Sequence, residues 1–113
     1  MSFDKAGLEL GSFLSHLVRR QETIASNIAN ADTPGYRTQE VSSPTSFASL
    51  IAGFQGNAHE APELPGRNDG NNVSIDREAR LLSENTLRFS LVTQMLRGEI
   101  KGLRSAIAEG KNG

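Results

Sequence analysis

Residues 24–37 read IASNIANADTPGYR, and this stretch decides how the rest of the chain is arranged. Up to residue 31 its apolar residues recur at steps of three and four, which indicates an α-helix. Pro34 disfavours the helical conformation at Thr33, and Gly35 readily adopts a positive φ. We therefore predict a helix that ends near Asp32. It is followed by a turn formed by Thr33, Pro34, Gly35 and Tyr36.

The helix before this turn carries an apolar seam with the spacing of a heptad pattern. Its one polar member is Gln21, and the whole seam consists of Leu10, Leu14, Leu17, Gln21, Ile24, Ile28 and Ala31. A second apolar row beside the seam consists of Val18, Ala25 and Ala29. The pattern predicts that residues 1–32 form an N-terminal core helix.

The last third of the chain repeats this pattern over residues 75–113, where we predict a C-terminal core helix. Ser74 is placed to cap its start, and Asp76 and Glu78 put negative charge in its first turn, where the helix dipole favours it. The predicted seam consists of Ile75, Ala79, Leu82, Thr86, Phe89, Thr93, Leu96, Ile100, Leu103 and Ile107, and a second row of Leu87, Leu91 and Met95. We expect the two helices to pair as one domain.

The connector, residues 33–74, is much longer than a compact helical hairpin needs. Pro44 at a first helical position and the apolar spacing after it predict a short helix over residues 44–54. From residue 55 to 72 the periodic apolar residues disappear, so we expect disorder there in the free chain, and no strand is predicted. The predicted fold class is all-α: two long terminal helices pair as an antiparallel coiled coil, joined by a long, largely irregular or disordered middle segment.

Composition excludes several classes of function. The chain has 113 residues, a formal net charge of -1 and no cysteine, which rules out disulfides, thiolate metal sites and a cysteine nucleophile. Neither an export signal of the Sec type nor an apolar run of membrane-spanning length is found. Basic residues are interspersed with acidic ones, so nucleic-acid binding is not predicted.

The candidates for catalysis or metal binding also fail. His16 and His59 lack a second ligand at helical spacing, and Ser15 next to His16 lacks a rigid scaffold for a triad. The run from Asn68 to Asn72 does not follow the ligand spacing of a calcium loop, so we interpret it as a turn before the second helix. We predict no enzyme, cofactor, metal or small-molecule substrate.

Three motifs together resemble a known family. Residues 25–37 resemble the N-terminal signature of bacterial flagellar rod, hook and hook-associated proteins. Two further motifs narrow the resemblance to rod subunits: Gly102-Leu103-Arg104-Ser105-Ala106-Ile107, and the second motif, Asp69, Gly70, Asn71, Asn72 and Val73. The resemblance covers both ends, about two thirds of the chain.

This resemblance implies a structural subunit of the proximal rod in the basal body, which reaches the periplasmic space by flagellar type III export. It implies terminal helices that pair as a coiled coil in the inner core of a helical, self-associating assembly. The implied partners are other rod subunits, the rod-base protein FliE, and the export gate or membrane ring. The alternative is a soluble coiled-coil adaptor or export chaperone that binds a partner helix.

The predicted subunit interface consists of Asn27 and Asn30 with the two apolar rows, which a simple helix pair leaves partly uncovered. A buried amide between subunits would fix their register. The other interpretation of both asparagines is that they are solvent-exposed amides in the last helical turn.

Overall fold

The computed structural model describes residues 2–42, 58–61 and 64–112. Its elements are α1 (Ser2–Ala29), β1 (Gln39–Val41), β2 (Ala58–Glu60) and α2 (Ile75–Asn112). The molecule extends 71 × 24 × 15 Å, because the two long helices lie side by side. The predicted pair of long helices is therefore confirmed, whereas the short helix predicted at residues 44–54 lies outside the described residues.

α1 ends a few residues earlier than the sequence pattern indicated, at Ala29. The chain then continues in consecutive turns, in which the Thr33 amide donates to the Asn30 carbonyl and the Tyr36 amide to the Thr33 carbonyl, each at 3.1 Å. Gly35 has a φ of 77°, in the left-handed region that favours glycine. The turns direct the chain away from α1 and towards β1.

The start of α2 follows the rules for helix capping. The Ser74 hydroxyl accepts from the Arg77 amide at 3.3 Å, and the Ser74 carbonyl accepts from the Glu78 amide at 3.0 Å. Asp76 and Glu78 lie in the first turn, where their negative charge interacts favourably with the positive end of the helix dipole. The cap fixes the residue at which the connector ends.

The two helices pair antiparallel. The amide of Asn27, near the end of α1, contacts Glu78 at the start of α2, and the Leu17 carbonyl, about three turns earlier on α1, contacts Asn85, about two turns later on α2. Leu17 and Ile24 of the α1 seam are buried, with 0% and 4% of their surface exposed. This part of α1 forms one side of the core.

On α2 the predicted seam is wrong by part of a turn. The buried positions are Glu78, Asn85 and Val92, which are seven residues apart, whereas Ile75 and Ile107 of the predicted row are 50% and 51% exposed. The sequence pattern followed apolar residues only. Asn85 is buried because its amide donates to the Leu17 carbonyl and to Gln21 Oε1, both at 2.9 Å, so it uses the one polar position of the α1 seam.

The connector contains two short strands that the sequence did not predict. β1 and β2 pair antiparallel, with Gln39 opposite Glu60 and Val41 opposite Ala58. Each strand has three residues, too few for an alternating pattern to be recognised. The sheet lies beside α1 and carries Val41 and Ala61 into the small core. Neither helix, over its described residues, is long and apolar enough to cross a membrane.

Candidate functional site at the helix junction

The helix junction is defined here as residues 27–39 together with residues 67–78, and it joins the end of α1 to the start of α2. Asn27 is 1% exposed and uses both ends of its side chain. Its Nδ2 donates to the Gln39 carbonyl at 2.8 Å and to Glu78 Oε2 at 3.2 Å. Its Oδ1 accepts from the Tyr36 hydroxyl and the Gln39 amide, both at 3.0 Å. One amide thus holds α1, β1 and α2 together.

Asn71, of the second motif, closes the end of α1. It is 0% exposed, and its Nδ2 donates to the carbonyls of Asn30 and Thr33 at 2.9 and 2.8 Å. Its Oδ1 accepts from the Val73 amide at 2.8 Å. Carbonyls at the end of a helix have no partner within the helix, so a side chain from 41 residues further along the chain supplies one.

Arg67 completes this cap. Its guanidinium donates to the carbonyl of Ala31 and, at 2.9 Å, to that of Val73. The last turn of α1 contains no basic residue, and a positive charge is favourable at the negative end of a helix dipole. Arg67 therefore supplies the charge that the helix itself lacks.

Asn72 fixes the strand that follows the turn. It is 4% exposed, and its Oδ1 accepts from the amide and the hydroxyl of Thr38 at 2.6 and 2.9 Å. The Asn72 amide donates to the Tyr36 carbonyl at 3.3 Å, and the Gly35 amide donates to the Asp69 carbonyl at 2.9 Å. The first and second motifs are thus two halves of one structure.

The backbone of the second motif also requires its glycine. Gly70 has a φ of 84°, and a Cβ added there would lie 3.5 Å from the Cα of Gly35. The Gly70 carbonyl accepts from Arg37 at 3.0 Å, while the Arg37 Nε donates to Glu60 at 2.9 Å. Gly70 therefore allows the turn to approach the first motif closely.

A chain of charged groups continues from Asn27 across the junction. Glu78, which is 0% exposed, also accepts from Arg77 at 2.6 Å, and Arg77 donates to Glu40 at 3.2 Å. Glu40 in turn lies 3.2 Å from His59 Nε2. The buried carboxylate of Glu78 is thereby paired and hydrogen-bonded, which a buried charge requires.

The asparagines predicted for the interface have different positions in the structure. Asn27 already has a partner within the chain for each of its four hydrogen-bonding positions, so we assign it to the fold of the subunit. Asn30 is half-buried, with its Nδ2 on the Ser26 carbonyl at 2.8 Å and its Oδ1 accepting from the Thr33 hydroxyl at 3.1 Å. Both amides hold the turn in place.

The two predicted apolar rows lie on different faces of the helix pair. Val18 and Ala25 line an open groove of about 450 Å³ between α1 and α2, whose other walls are Gln21, Glu22, Thr86, Phe89 and Ser90. Leu87, Leu91 and Met95 lie on α2 outside this groove and are 73%, 57% and 51% exposed. Ala29 is also exposed, next to the junction.

Titratable groups at the described residues form no metal-binding cluster of three or more. Burial lowers the pKa of His16, and the charges of Arg20 and then Arg19 lower it further. Burial also lowers the pKa of Arg20, and the positive charge of Arg88 lowers it further. The polar groups of the helix junction are helix caps, paired charges and hydrogen-bonded side-chain amides. Such groups can hold segments of the chain together.

Sequence reasoning missed Arg67, Thr38 and Asn85 as structural residues, and it recognised Asn71 and Asn72 only through the resemblance. One signal was available. A helix that ends without a basic residue, before a proline and a glycine, leaves open carbonyls that some distant donor must satisfy. The second motif, rich in asparagine, was the obvious source of that donor.

Long paired helices and a hydrogen-bonded junction define an elongated helical protein of the structural class. The family model described as flagella basal body rod protein matches residues 11–37, which are most of α1 and the turn. The flagellar basal body rod protein FlgB of Escherichia coli (strain K12) is 30% identical over 122 residues, covering 81% of this chain and 85% of that protein. FlgB of Aeromonas hydrophila is 30% identical and covers 95% of this chain and 96% of that protein. FlgB of Borrelia hermsii is 33% identical, with 84% and 90% covered.

The chain belongs to the FlgB family of flagellar basal-body rod proteins. It is a structural protein of the rod and not an enzyme. The motif that the family model matches is the one that forms the first half of the helix junction.

Proposed function

We propose that this chain is a subunit of the proximal rod whose antiparallel helix pair packs against neighbouring subunits through apolar surface that the single chain leaves in water. The observation that carries the proposal is the exposure of Leu87, Leu91 and Met95, which are 73%, 57% and 51% exposed on one side of α2. An apolar strip of this kind usually marks an interaction surface. The membership of the rod family says which assembly would cover it.

The groove on the other face supports contacts on more than one side. Val18 is 41% exposed and Phe89 39%, although both are apolar and border the groove between the helices. When two different surfaces of neighbouring copies meet, the contact is heterologous, and such contacts continue into a helix or filament when they do not close into a ring. This is the geometry that a rod requires.

The route to the rod is part of the proposal. Among the residues that the structure describes, only six apolar side chains are buried: Leu17, Ile24, Val41, Ala61, Val73 and Val92. A core of this size gives little resistance to unfolding, which suits passage through a narrow type III export channel before the helices pair in the periplasmic space. FliE, neighbouring rod subunits, and the export gate or membrane ring are the partners that we propose there.

In this proposal the junction acts indirectly. Asn27 and Asn30 hold the turn after α1 in one conformation, and the turn sets where the connector leaves the helix pair. The rows of Val18, Ala25 and Ala29 and of Leu87, Leu91 and Met95 make the contacts between subunits. The alternative function, a soluble adaptor or export chaperone, is not favoured, because the relatives of this chain are rod proteins.

The experiment places a charge on the exposed strip. In a host whose own rod subunit is replaced by this chain, Leu87→Asp with Leu91→Asp should abolish motility and remove the chain from purified basal bodies. Asn68→Asp, at an exposed polar position in the turn before α2 and outside the strip, is the matched control and should leave both unchanged. Circular dichroism of the purified variants tests that the helices persist.

Normal motility of the doubly charged variant would contradict the packing role of the strip. Absence of the unsubstituted chain from purified basal bodies, with retention in the cytoplasm, would contradict the rod function itself and support the adaptor.

A further inference from the structure

A second pocket, of about 320 Å³, is lined by residues of all four elements. They include Arg20 and Thr23 of α1, Glu40 of β1, His59 of β2 and Arg77 of α2. Seven of its ten lining residues are polar or charged, and it shares no lining residue with the groove between the helices. We refer to it as the Arg20 pocket. Its lining suits a polar group of a ligand better than an apolar side chain.

The carboxylate of Glu40 is the only one among the described residues that line the Arg20 pocket, and both of its oxygens are already engaged. Its Oε1 lies 3.2 Å from His59 Nε2, and its Oε2 accepts from Arg77 Nη2 at 3.2 Å. The Nη1 of Arg77 in turn donates to the buried Glu78 at 2.6 Å. These charged groups therefore satisfy one another within the chain.

Arg20 has no such acceptor. Over the part of the chain that the structure describes, its guanidinium makes neither a hydrogen bond nor an ion pair, although its side chain is half-buried. Burial and the charge of Arg88 lower its pKa, and the more distant charges of Glu84 and Glu40 offset this only in part. A guanidinium presents five N–H donors in a planar fork. The Arg20 pocket therefore holds a partly desolvated cation that lacks an acceptor.

A carboxylate is the acceptor that matches this fork, because two parallel N–H···O bonds can form between the two groups. A free acid in solution would be held only weakly, since a partly solvated ion pair adds little to affinity. The same carboxylate on a docked protein is presented at high effective concentration and loses water together with the rest of the interface. Residues 43–57, which join β1 to β2, contain no acidic residue that could supply it.

We propose that the Arg20 pocket receives an aspartate or glutamate side chain of a neighbouring rod subunit, whose carboxylate accepts from the Arg20 guanidinium. The proposal rests on the proposed rod function and adds a polar contact to the apolar ones. The strip of Leu87, Leu91 and Met95 lies outside this pocket, so both surfaces are available at once. A charged pair at the edge of an apolar interface fixes the orientation of the incoming subunit.

Arg20→Lys makes the contact testable, because a carbodiimide joins an amine to a carboxylate that touches it. An amide bond forms, and the carbodiimide takes up the lost water and becomes a urea. The test uses basal bodies from a host whose own rod subunit is replaced by this chain. Position 20 should become joined to an acidic residue of a neighbouring subunit, which mass spectrometry of the digested basal bodies identifies.

Arg19→Lys is the matched control, since Arg19 is also half-buried but does not line the pocket. The yield from position 20 should exceed that from position 19 at least about tenfold, because contact raises the effective concentration of the carboxylate. Arg20→Glu should lower the amount of the chain in basal bodies, and a lysine in place of the acidic residue identified in the neighbour should restore it. Circular dichroism of the purified variants checks that the helices persist.

A titration separates this source of the carboxylate from a free acid. The Nε–H signal of Arg20 in the NMR spectrum of the dilute chain, assigned with Arg20→Gln, should show no saturable shift with millimolar succinate. A saturable shift that Arg20→Gln removes would show a site for small anions and would overturn the neighbouring subunit as the source.

Three results in basal bodies that contain the chain would also overturn the proposal, while leaving the rod function intact. One is an amide bond formed only with Glu40 or Glu84 in a product that runs as a single chain on a denaturing gel, since Arg20 would then be satisfied within its own subunit. The others are equal yields from positions 19 and 20, and no cross-link from either. Absence of the unsubstituted chain from basal bodies would instead contradict the rod function on which the proposal rests.

Discussion

Replacing Asn71 tests whether the second motif is the structural cap of α1. Asn71 is 0% exposed and makes three hydrogen bonds, two to the carbonyls of Asn30 and Thr33 and one from the Val73 amide. A hydrogen bond contributes about 1 kcal/mol net, and a buried group left without a partner costs about 1–3 kcal/mol. Asn71→Ala should therefore lower the free energy of unfolding by about 3 kcal/mol, a large fraction of the stability of a small domain.

Asn71→Asp makes the test more specific, because the shape is retained and only the donor is lost. One oxygen can still accept from Val73, whereas the other faces the carbonyl oxygens of Asn30 and Thr33. The protonated carboxyl can donate to one of them, so folding should raise the pKa of the introduced Asp above its ordinary value of about 3.9. Relative to the original chain, this variant should be most stable below that pH and lose stability as the pH rises towards neutrality.

The assay is urea unfolding of the dilute chain, followed by far-UV circular dichroism, at acid and neutral pH. Asn68→Asp is the matched control, because Asn68 is exposed in the same turn and acquires the same charge. The control should stay within about 0.5 kcal/mol of the original chain. A loss below about 1 kcal/mol for Asn71→Ala, or an Asn71→Asp stability that does not fall relative to the control between acid and neutral pH, would refute the capping role.

Three further measurements address other parts of the structure. Gly70→Ala should destabilise the chain by about 1–2 kcal/mol because of its φ of 84°, whereas Gly98→Ala, in a helix with open space around it, should stabilise it by up to about 1 kcal/mol in the same urea assay. Because burial lowers the pKa of His16, the unfolded chain takes up a proton first, so the free energy of unfolding should fall as the pH drops through about 6.5. His16→Gln should flatten that slope in urea titrations, and an unchanged slope would contradict it. Asn85→Leu removes the hydrogen bonds from the Asn85 amide to the Leu17 carbonyl and to Gln21 Oε1, so it should lower the free energy of unfolding by about 1–2 kcal/mol, and an unchanged or higher thermal stability would contradict this.

The helices could be predicted from the sequence because their signals are local. The apolar period gave both helices, and Pro34 and Gly35 placed the end of α1 to within three residues of Ala29. Ser74 likewise marked the start of α2. Each of these features depends on residues within one or two turns of each other, so residues close together in the sequence are enough to predict it.

The side of α2 that faces α1 could not be predicted in the same way. Glu78 and Asn85 are polar, and the rule for a seam selects apolar residues, so the pattern chose a neighbouring row. What buries these two side chains is a partner on another helix: Asn27 for Glu78, and Gln21 with the Leu17 carbonyl for Asn85. Such pairs are visible only after the helices have been aligned.

The requirement for asparagine at the junction follows from the groups that meet there. The end of α1 offers carbonyls that need donors, while β1 and Val73 offer amides that need acceptors. An aspartate only accepts and a lysine only donates, whereas the amide of asparagine does both. The Asn27 side chain binds both backbone groups of Gln39, as a residue of a neighbouring strand would. Its Oδ1 accepts from the Gln39 amide and its Nδ2 donates to the Gln39 carbonyl. Asn71 does the same between the carbonyls of the turn and the Val73 amide. The helix end in residues 24–37 therefore needs the asparagines of the second motif as hydrogen-bond partners, although the two motifs lie far apart in the sequence.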